Sequence, residues 1–172
     1  MGGSKTKRVV LLGLLVSQAL ILSIIESWIP MPTPIPGIKL GLANIVTLIG
    51  IVYFTPAEVF VIVVVRTLLA SIFTGGPIVF LFSLAGGFLS CAVMILMYRK
   101  MKSKFSLTGI SMTGAFFHNV GQLAVASLLM KDTAVFAYLP VLTVSALVMG
   151  ALTGVTATVV VKYLNKTDMM NK

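Results

Sequence analysis

The chain has 172 residues, of which 58% are hydrophobic and 10% are charged, and its formal net charge is +9. Soluble domains carry about 25% charged residues, so this composition, with a mean hydropathy of +1.09, excludes an ordinary soluble domain and predicts an integral membrane protein. The basic charge is typical of cytoplasmic segments in such proteins and does not indicate nucleic acid. The single cysteine, Cys91, excludes a disulfide framework and a cysteine-based metal site within the chain.

Apolar segments divide the chain into candidate spans of a membrane core about 30 Å thick. They are Val9–Ile29, Leu40–Phe54, Ala57–Phe73, Ile78–Tyr98, Leu107–Met130 and Val141–Tyr163. The pattern predicts an all-α fold, with a single six-helix transmembrane domain over residues 9–163, a basic tail over 1–8 and a second tail over 164–172. The second segment reaches only about 22 Å as a helix, so its outer end is expected to begin below the membrane surface.

The basic residues predict the orientation of the helices in the plasma membrane. With the N-terminus inside, the inner segments carry Lys5, Lys7, Arg8, Arg99, Lys100, Lys102, Lys104, Lys162, Lys166 and Lys172. The outer loops carry Lys39 and Lys131. Positive residues favour the cytoplasmic side, so both termini, and both tails with them, are predicted to be cytoplasmic.

The connection between the first two spans, Pro30–Asn44, has proline at positions 30, 32, 34 and 36. Each proline fixes its own φ and disfavours the α region for the preceding residue, which predicts a stiff, extended loop. A helix is predicted to begin at Ile38–Lys39, after Gly37, with Asn44 inside its first two turns. Its N-terminus and the charge of Lys39 would favour an anion. We therefore hypothesise a lid and one wall of a site for an acidic or polar group; the alternative is a plain connector.

Polar side chains inside spans are costly and usually face the interior of the bundle. Such residues occur at mid-depth or in the predicted outer half of the spans. Together with Gly37 they are the candidate substrate-binding residues: Glu26, Lys39, Asn44, Arg66, His118, Asn119 and Gln122. Ser111, Ala115, His118 and Gln122 share one face of the fifth helix. These residues predict an outward-open polar pocket; the alternative is a set of structural hydrogen bonds between helices. His118 is the one histidine, so a transition-metal site is not expected.

Arg66 lies in the middle of the third apolar segment, too deep for its guanidinium to reach either surface. It therefore needs an acidic partner, a group of carbonyls or an anionic ligand. Glu26 is the acid in the outer half of a span. Two alternatives for Arg66 therefore remain open: an ion pair with Glu26 that joins helices 1 and 3, or a contact with a ligand. Glu58 is two turns from Arg66, about 12 Å along the helix, and is not expected to pair with it directly.

Small residues four positions apart predict close packing of helices. On helix 1 the pairs Gly13/Ser17 and Ala19/Ser23 are candidates for docking another subunit, or for packing inside the chain. The same spacing occurs on helix 4 and helix 6, in Ser83/Gly87, Gly86/Ser90 and the series Ala146, Gly150, Gly154 and Thr158.

Signatures of catalysis are missing from the sequence. It has no Gly-rich phosphate loop, no Ser–His–Asp pattern and no Asp-rich diphosphate motif. The four acidic residues of the chain are too few for the carboxylate clusters that hold Mg²⁺ in diphosphate chemistry. We expect no enzymatic activity, no cofactor and no metal, and active transport would need an external motor.

Two stretches carry a resemblance to a known family. Pro34–Asn44 reads P-x-P-G-x-K-L-G-L-A-N, and Phe117–Gln122 reads F-H-N-V-G-Q. From about Val9 to Tyr163 the chain resembles the family labelled heptaprenyl diphosphate synthase component I, also called the Gx transporter family. That family is similar in turn to the S components of energy-coupling factor (ECF) transporters. S components are six-helix membrane proteins that capture vitamins from outside and dock, through small residues on helix 1, onto a transmembrane subunit driven by two ATPases.

The resemblance implies a membrane-embedded subunit that binds a small vitamin-like or prenyl- or quinone-related molecule, with the ECF module as partner. S components commonly show Ala-xxx-Ala on helix 1, where this chain has Gly13/Ser17 and Ala19/Ser23. The alternative is a non-catalytic membrane accessory subunit of a polyprenyl diphosphate synthase, or of a quinone-linked electron-transfer system.

Overall fold

A computed structural model describes residues 2–29, Lys39 and residues 41–167, with side chains from Lys5 onward. The described residues form a bundle of α-helices without strands, as the sequence predicts. Its helices are α1 (Gly2–Ser27), α2 (Asn44–Tyr53), α3 (Pro56–Thr74), α4 (Gly76–Met101), α5 (Leu107–Met130) and α6 (Leu139–Lys166), and a 3₁₀ helix (Ala134–Tyr138) precedes α6. Four of these helices, α1, α3, α4 and α6, are long and apolar enough to cross a membrane.

The first and last helices extend beyond their apolar segments. α1 begins at Gly2 instead of Val9, so the predicted basic tail over residues 1–8 is helical from Gly2 onward. Lysine and arginine are good helix formers, so the helix begins before the apolar segment does. α6 likewise continues past Tyr163 to Lys166 and takes up part of the predicted C-terminal tail.

The second helix is shorter than predicted. α2 begins at Asn44, so the prediction of a helix start at Ile38–Lys39 is wrong, and Lys39 does not lie in a first helical turn. Gly41, with φ of 89°, precedes a turn that leads into the helix. Its ten residues span about 15 Å, half the thickness of a membrane core. The predicted proline loop, with Gly37, falls at residues 30–38, outside the described residues.

Proline and glycine mark the turns between neighbouring helices. Thr55 and Glu58 form a capping box at the start of α3, where Pro56 occupies the first turn. Gly75, between α3 and α4, and Gly76, the first residue of α4, take positive φ values of 145° and 75°. Pro140 stands in the first turn of α6, where a proline is tolerated.

Glycines bring the backbones of α4, α5 and α6 into contact. A Cβ atom on Gly121 of α5 would lie 2.7 Å from the carbonyl oxygen of Ala85 on α4. On α6, Cβ atoms on Gly150 and Gly154 would lie 2.6 Å from the Cα atoms of Met112 and Thr108 on α5. No side chain fits at these distances, so the small residues of helices 4 and 6 serve packing within the chain.

Two apolar clusters form the core. The larger one includes Leu48, Ile62, Met94 and Ile110, and lies toward the end of the bundle that holds the start of α1. The smaller one includes Phe82, Leu123, Ala126, Val135 and Leu142. Along α4 and α5 the buried polar residues fall between these two clusters, and they form the polar layer described next.

Candidate ligand-binding site

The polar layer collects side chains from five helices and from the connection between α1 and α2. Each of them is at most 7% exposed. Its members are Glu26 on α1, Lys39 in the connection, Asn44 on α2, Arg66 on α3, Ser83 and Ser90 on α4, and His118, Asn119 and Gln122 on α5. The sequence-based expectation that the polar residues within spans face the interior is confirmed for all those named that the structure describes.

Glu26 holds the backbone that leads into α2. Its carboxylate accepts a hydrogen bond from the backbone N–H of Gly41 and a second, of 3.2 Å, from the N–H of Leu42. Hydrogen bonds from two N–H groups stabilise a buried carboxylate without a cation in direct contact. Glu26 therefore fixes the connection against α1.

Lys39 is tied to two other helices. Its backbone N–H donates to Oε1 of Gln122 over 3.3 Å, and its Nζ donates to Oγ1 of Thr74 over 3.4 Å. Burial lowers the pKa of the Lys39 ammonium, and the nearby Glu26 carboxylate opposes this shift. Lys39 thus brings its amino group into the polar layer although it lies outside a helix.

Arg66 lies across from α1 and α4 and is incompletely paired. Nη1 donates to Oγ of Ser23 over 3.4 Å, whereas Nε and Nη2 have no hydrogen-bond partner among the described residues. A Cβ atom on Gly87 would lie 3.0 Å from Nη2, so a larger residue there would crowd the guanidinium.

The Arg66–Glu26 ion pair, one of the two sequence-based readings of Arg66, is not formed within the described part of the chain. The ion pair found there joins Arg8 to Glu58. The carboxylate of Glu26 is directed at the backbone of Gly41 and Leu42 instead. Arg66 therefore keeps donors available for another group.

Several amide and hydroxyl groups of the polar layer also lack a protein partner in the described residues. They are both amide atoms of Asn44, Nε2 of Gln122, Oδ1 of Asn119, and the hydroxyls of Ser83 and Ser90. An unsatisfied buried polar group costs about 1–3 kcal/mol, so such groups are kept where a polar partner meets them. Asn119 is partly used within the fold, because its Nδ2 donates to the carbonyl oxygen of Leu142 over 2.8 Å.

The imidazole of His118 is bordered by the backbones of two glycines. A Cβ atom on Gly41 would lie 3.6 Å from Cδ2 of the ring and 2.9 Å from Nδ2 of Asn44. A Cβ atom on Gly86 would lie 3.1 Å from Cε1 of the same ring. The ring makes no well-formed hydrogen bond to a described residue, so it is positioned by close packing.

The two small-residue pairs of helix 1 have different environments. Gly13 and Ser17 are exposed, and a Cβ atom on Gly13 would meet no atom within 4 Å. Ala19 and Ser23 are 0% and 3% exposed, and Ser23 contacts Arg66. Ala19 and Ser23 therefore pack inside the bundle, as in the internal-packing alternative that the sequence left open for them.

Some residues of the layer were missed by the sequence-based reasoning. Ser83, Ser90, Gly86 and Gly87 were noted only for their spacing, which is typical of helix packing. Gly86 and Gly87 border His118 and Arg66. The hydroxyls of Ser83 and Ser90 have no partner among the residues that the structure describes. Thr74, which accepts from Lys39, gave no signal because its partner is 35 residues away in the chain.

The family model described as heptaprenyl diphosphate synthase component I matches residues 15–160. The chain belongs to this family. Comparisons with curated proteins and with solved structures give no match. The match to the heptaprenyl diphosphate synthase component I family contains every residue of the polar layer. Among the residues of this family member that the structure describes, no three His, Cys, Asp or Glu side chains lie together in a way that could hold a metal ion.

Proposed function

We propose that the chain is a membrane-embedded substrate-binding subunit, similar to the S components of ECF-type uptake transporters. Its substrate would be a small vitamin-like or prenyl- or quinone-related molecule with an acidic or polar group. The observation that supports this proposal is the polar layer, in which Arg66, Asn44 and Gln122 offer hydrogen-bonding atoms without a protein partner among the described residues. Buried groups of this kind fix the orientation of a ligand.

The charges of the layer favour an acidic group on the substrate. Lys39 and Arg66 are the buried cations and Glu26 is the buried carboxylate, so the three together carry one net positive charge when ionised. The carboxylate is already engaged by the backbone of Gly41 and Leu42. An unpaired charge away from water is costly, and an anionic group next to Arg66 would reduce that cost.

The distribution of basic residues supports uptake from the outside. The end of the bundle that holds the start of α1 carries most of the lysines and arginines, whereas the polar layer adjoins the connection that contains Lys39. The positive-inside rule then assigns both termini to the cytoplasm and the connection to the outside of the plasma membrane. A substrate would reach the layer from that side.

The exposed face of α1 supports a helical partner. Gly13 and Ser17 lie on the surface, and the space above Gly13 lets another backbone approach closely, as small residues do in lipid. We propose that this face contacts an ECF transmembrane subunit with its two ATPases, which would supply the energy for transport. The chain itself would not be an enzyme, since Glu26 is the one carboxylate in the polar layer.

The family description favours a second candidate. A non-catalytic membrane accessory subunit of a polyprenyl diphosphate synthase, or of a quinone-linked electron-transfer system, would also use a buried cationic site, here for a diphosphate or a quinone oxygen. It would bind a synthase or an electron-transfer protein in place of an ATPase module.

Native mass spectrometry of the purified full chain, together with affinity purification of its complexes, separates the two candidates. We expect the unaltered chain to retain a small molecule with an acidic group. The Arg66→Gln variant should lose this molecule, and the Gly13→Leu variant should keep it. We expect Gly13→Leu, in turn, to lose the ATPase module. Retention by Arg66→Gln would remove the polar layer from ligand binding. Recovery of a prenyl diphosphate synthase without ATPases would favour the second candidate.

A further inference from the structure

A concave surface lies at the opposite end of the bundle from the connection between α1 and α2. It is a groove of about 350 Å³ between α2, α4, α5 and α6. Its floor is apolar and includes Ile110 and Val161, which are 0% and 7% exposed, with Val52 and Leu107 beside them. The groove does not include any residue of the polar layer, and nothing in the proposed function uses it.

The wall of the groove on the α6 side is fixed by the fold. The hydroxyl of Tyr53 lies 2.7 Å from Oδ1 of Asn165, to which it donates, and 3.2 Å from the carbonyl oxygen of Val161. These contacts join the end of α2 to the end of α6. The α2 and α6 sides of the groove are therefore held together by side-chain contacts within the fold.

The rim of the groove is polar and positively charged. Lys102 lines it, and its Nζ lies 4.8 Å from the centre of the Tyr98 ring, a cation–π contact that keeps the ammonium near the mouth. Ser106 also lines the rim and caps α5 by accepting a hydrogen bond from the N–H of Gly109. The start of α5, with its free N–H groups and partial positive charge, therefore faces the same mouth.

Among the described residues around the groove, positive charge predominates. The described cations at this end are Lys5, Lys7, Arg8, Arg99, Lys100, Lys102, Lys104, Lys162 and Lys166. The described acidic residue at this end, Glu58, is paired with Arg8. An anion near the rim therefore meets net positive charge, whereas the floor accepts only apolar groups.

We propose that this groove binds one anionic phospholipid. Part of an acyl chain lies on the floor against Ile110 and Val161, and the phosphate contacts Lys102 next to the start of α5. A phospholipid satisfies both parts of the site at once, because burial of its methylene groups matches the floor and its charge matches the rim. A soluble phosphate would use the rim alone. The groove opens at the end where the helices leave the membrane, which is the depth of the lipid headgroups.

The test titrates the purified full chain with phosphatidylglycerol and, separately, with phosphatidylcholine, and counts bound lipids by native mass spectrometry. Lys102→Gln is compared with Lys104→Gln, a matched control, because both lysines are exposed in the same connection and only Lys102 lines the groove. We expect phosphatidylglycerol to bind about tenfold more weakly to Lys102→Gln, the size of one lost charged hydrogen bond. Binding to Lys104→Gln should be unchanged.

Further arms of the experiment identify the occupant. Val161→Phe fills the floor of the groove and should weaken the binding of phosphatidylglycerol. A melting curve shows whether the variant is folded. Glycerol 3-phosphate and inorganic phosphate, used as competitors, should displace the lipid poorly. The proposal is overturned if both lysine variants lose the same affinity for phosphatidylglycerol, or if the chain binds phosphatidylcholine as tightly as phosphatidylglycerol. It is also overturned if the soluble competitors displace the lipid efficiently, which would indicate a site for soluble phosphate.

Discussion

Arg8 and Glu58 form a two-point ion pair that joins the beginning of α1 to the first turn of α3. Nε of Arg8 lies 2.5 Å from Oε1 of Glu58, and Nη2 lies 2.7 Å from Oε2. Oε2 also accepts hydrogen bonds from the backbone N–H and the hydroxyl of Thr55, over 2.8 and 2.6 Å. The Arg8 guanidinium lies 5.8 Å from the centre of the Phe54 ring. One carboxylate thus connects α1, the turn after α2, and the cap of α3.

Substitutions at Glu58 should separate the ion pair from the helix cap. Glu58→Gln removes the charge and keeps an acceptor that can serve in a capping box, so its melting temperature should fall slightly and match that of Arg8→Gln. Glu58→Ala also removes the cap, which contributes about 1 kcal/mol, and should melt lowest. Lys7→Gln, a neighbouring exposed cation, is the control. Equal melting of Glu58→Gln and Glu58→Ala would show that the cap contributes nothing.

Arg66→Gln should weaken ligand binding without the destabilisation that a broken ion pair produces. A hydrogen bond to a charged group contributes about 1.5–3 kcal/mol, so the affinity for an acidic substrate should fall about ten- to a hundredfold. Asn44→Ala should cost less, because a neutral hydrogen bond contributes about 0.5–1.5 kcal/mol. Binding titrations and melting curves of Arg66→Gln, Glu26→Gln and the double variant check this. If Arg66→Gln were strongly destabilised and the added Glu26→Gln substitution recovered the stability, the result would instead support an ion pair between Arg66 and Glu26.

Gly121→Ala and Gly13→Ala should shift stability in opposite directions. A Cβ atom on Gly121 would lie 2.7 Å from the Ala85 carbonyl oxygen and 2.8 Å from the Gly86 Cα atom, and overpacking of this kind costs about 1–3 kcal/mol. Gly13→Ala meets nothing within 4 Å, and alanine stabilises a helix interior by about 0.5–1 kcal/mol relative to glycine. Thermal unfolding of the two variants checks both signs. A stable Gly121→Ala would mean that α4 and α5 separate readily.

Labelling of cysteine variants in intact cells tests the orientation. Thr133 and Ser103 lie in exposed connections at opposite ends of the bundle. A membrane-impermeant maleimide should label Thr133→Cys and should not label Ser103→Cys, if the basic end of the bundle is cytoplasmic. Cys91 is fully buried, so the background from the native thiol should be low. Labelling of Ser103→Cys from outside would reverse the orientation, and uptake from outside would lose its support.

The number of helices could be predicted from the sequence, because an apolar segment in a membrane satisfies its backbone only as a helix. The turn at Thr55–Pro56 and the start of α6 at Pro140 were also readable, since proline has a defined place in a first turn. The start of α2 was not readable. The apolar pattern runs on from Ile38, whereas the turn before Asn44 depends on Gly41 and on Glu26, fifteen residues earlier in the chain.

The members of the site were easier to predict than their contacts. Burial of polar side chains follows from the cost of exposing them to lipid, which acts on each residue separately. Pairing depends on how helices are rotated against each other. Arg66 faces Ser23 and Gly87, and this orientation is fixed by packing between α3 and α4 that no local pattern in the sequence reveals.

The glycine contacts between α4, α5 and α6 also have a mechanical consequence. Where Gly121 meets Ala85 and where Gly150 meets Met112, two backbones touch without a side chain between them, so a small slide of one helix along the other produces a clash. Where α4 faces α3, by contrast, a Cβ atom on Gly87 would lie 3.0 Å from side-chain atoms of Val63 and Arg66. We therefore expect α4–α6 to move as one rigid unit, and α1 and α3 to tilt against it. Arg66, which lies against Gly87 of α4, would then move at the interface between α3 and α4.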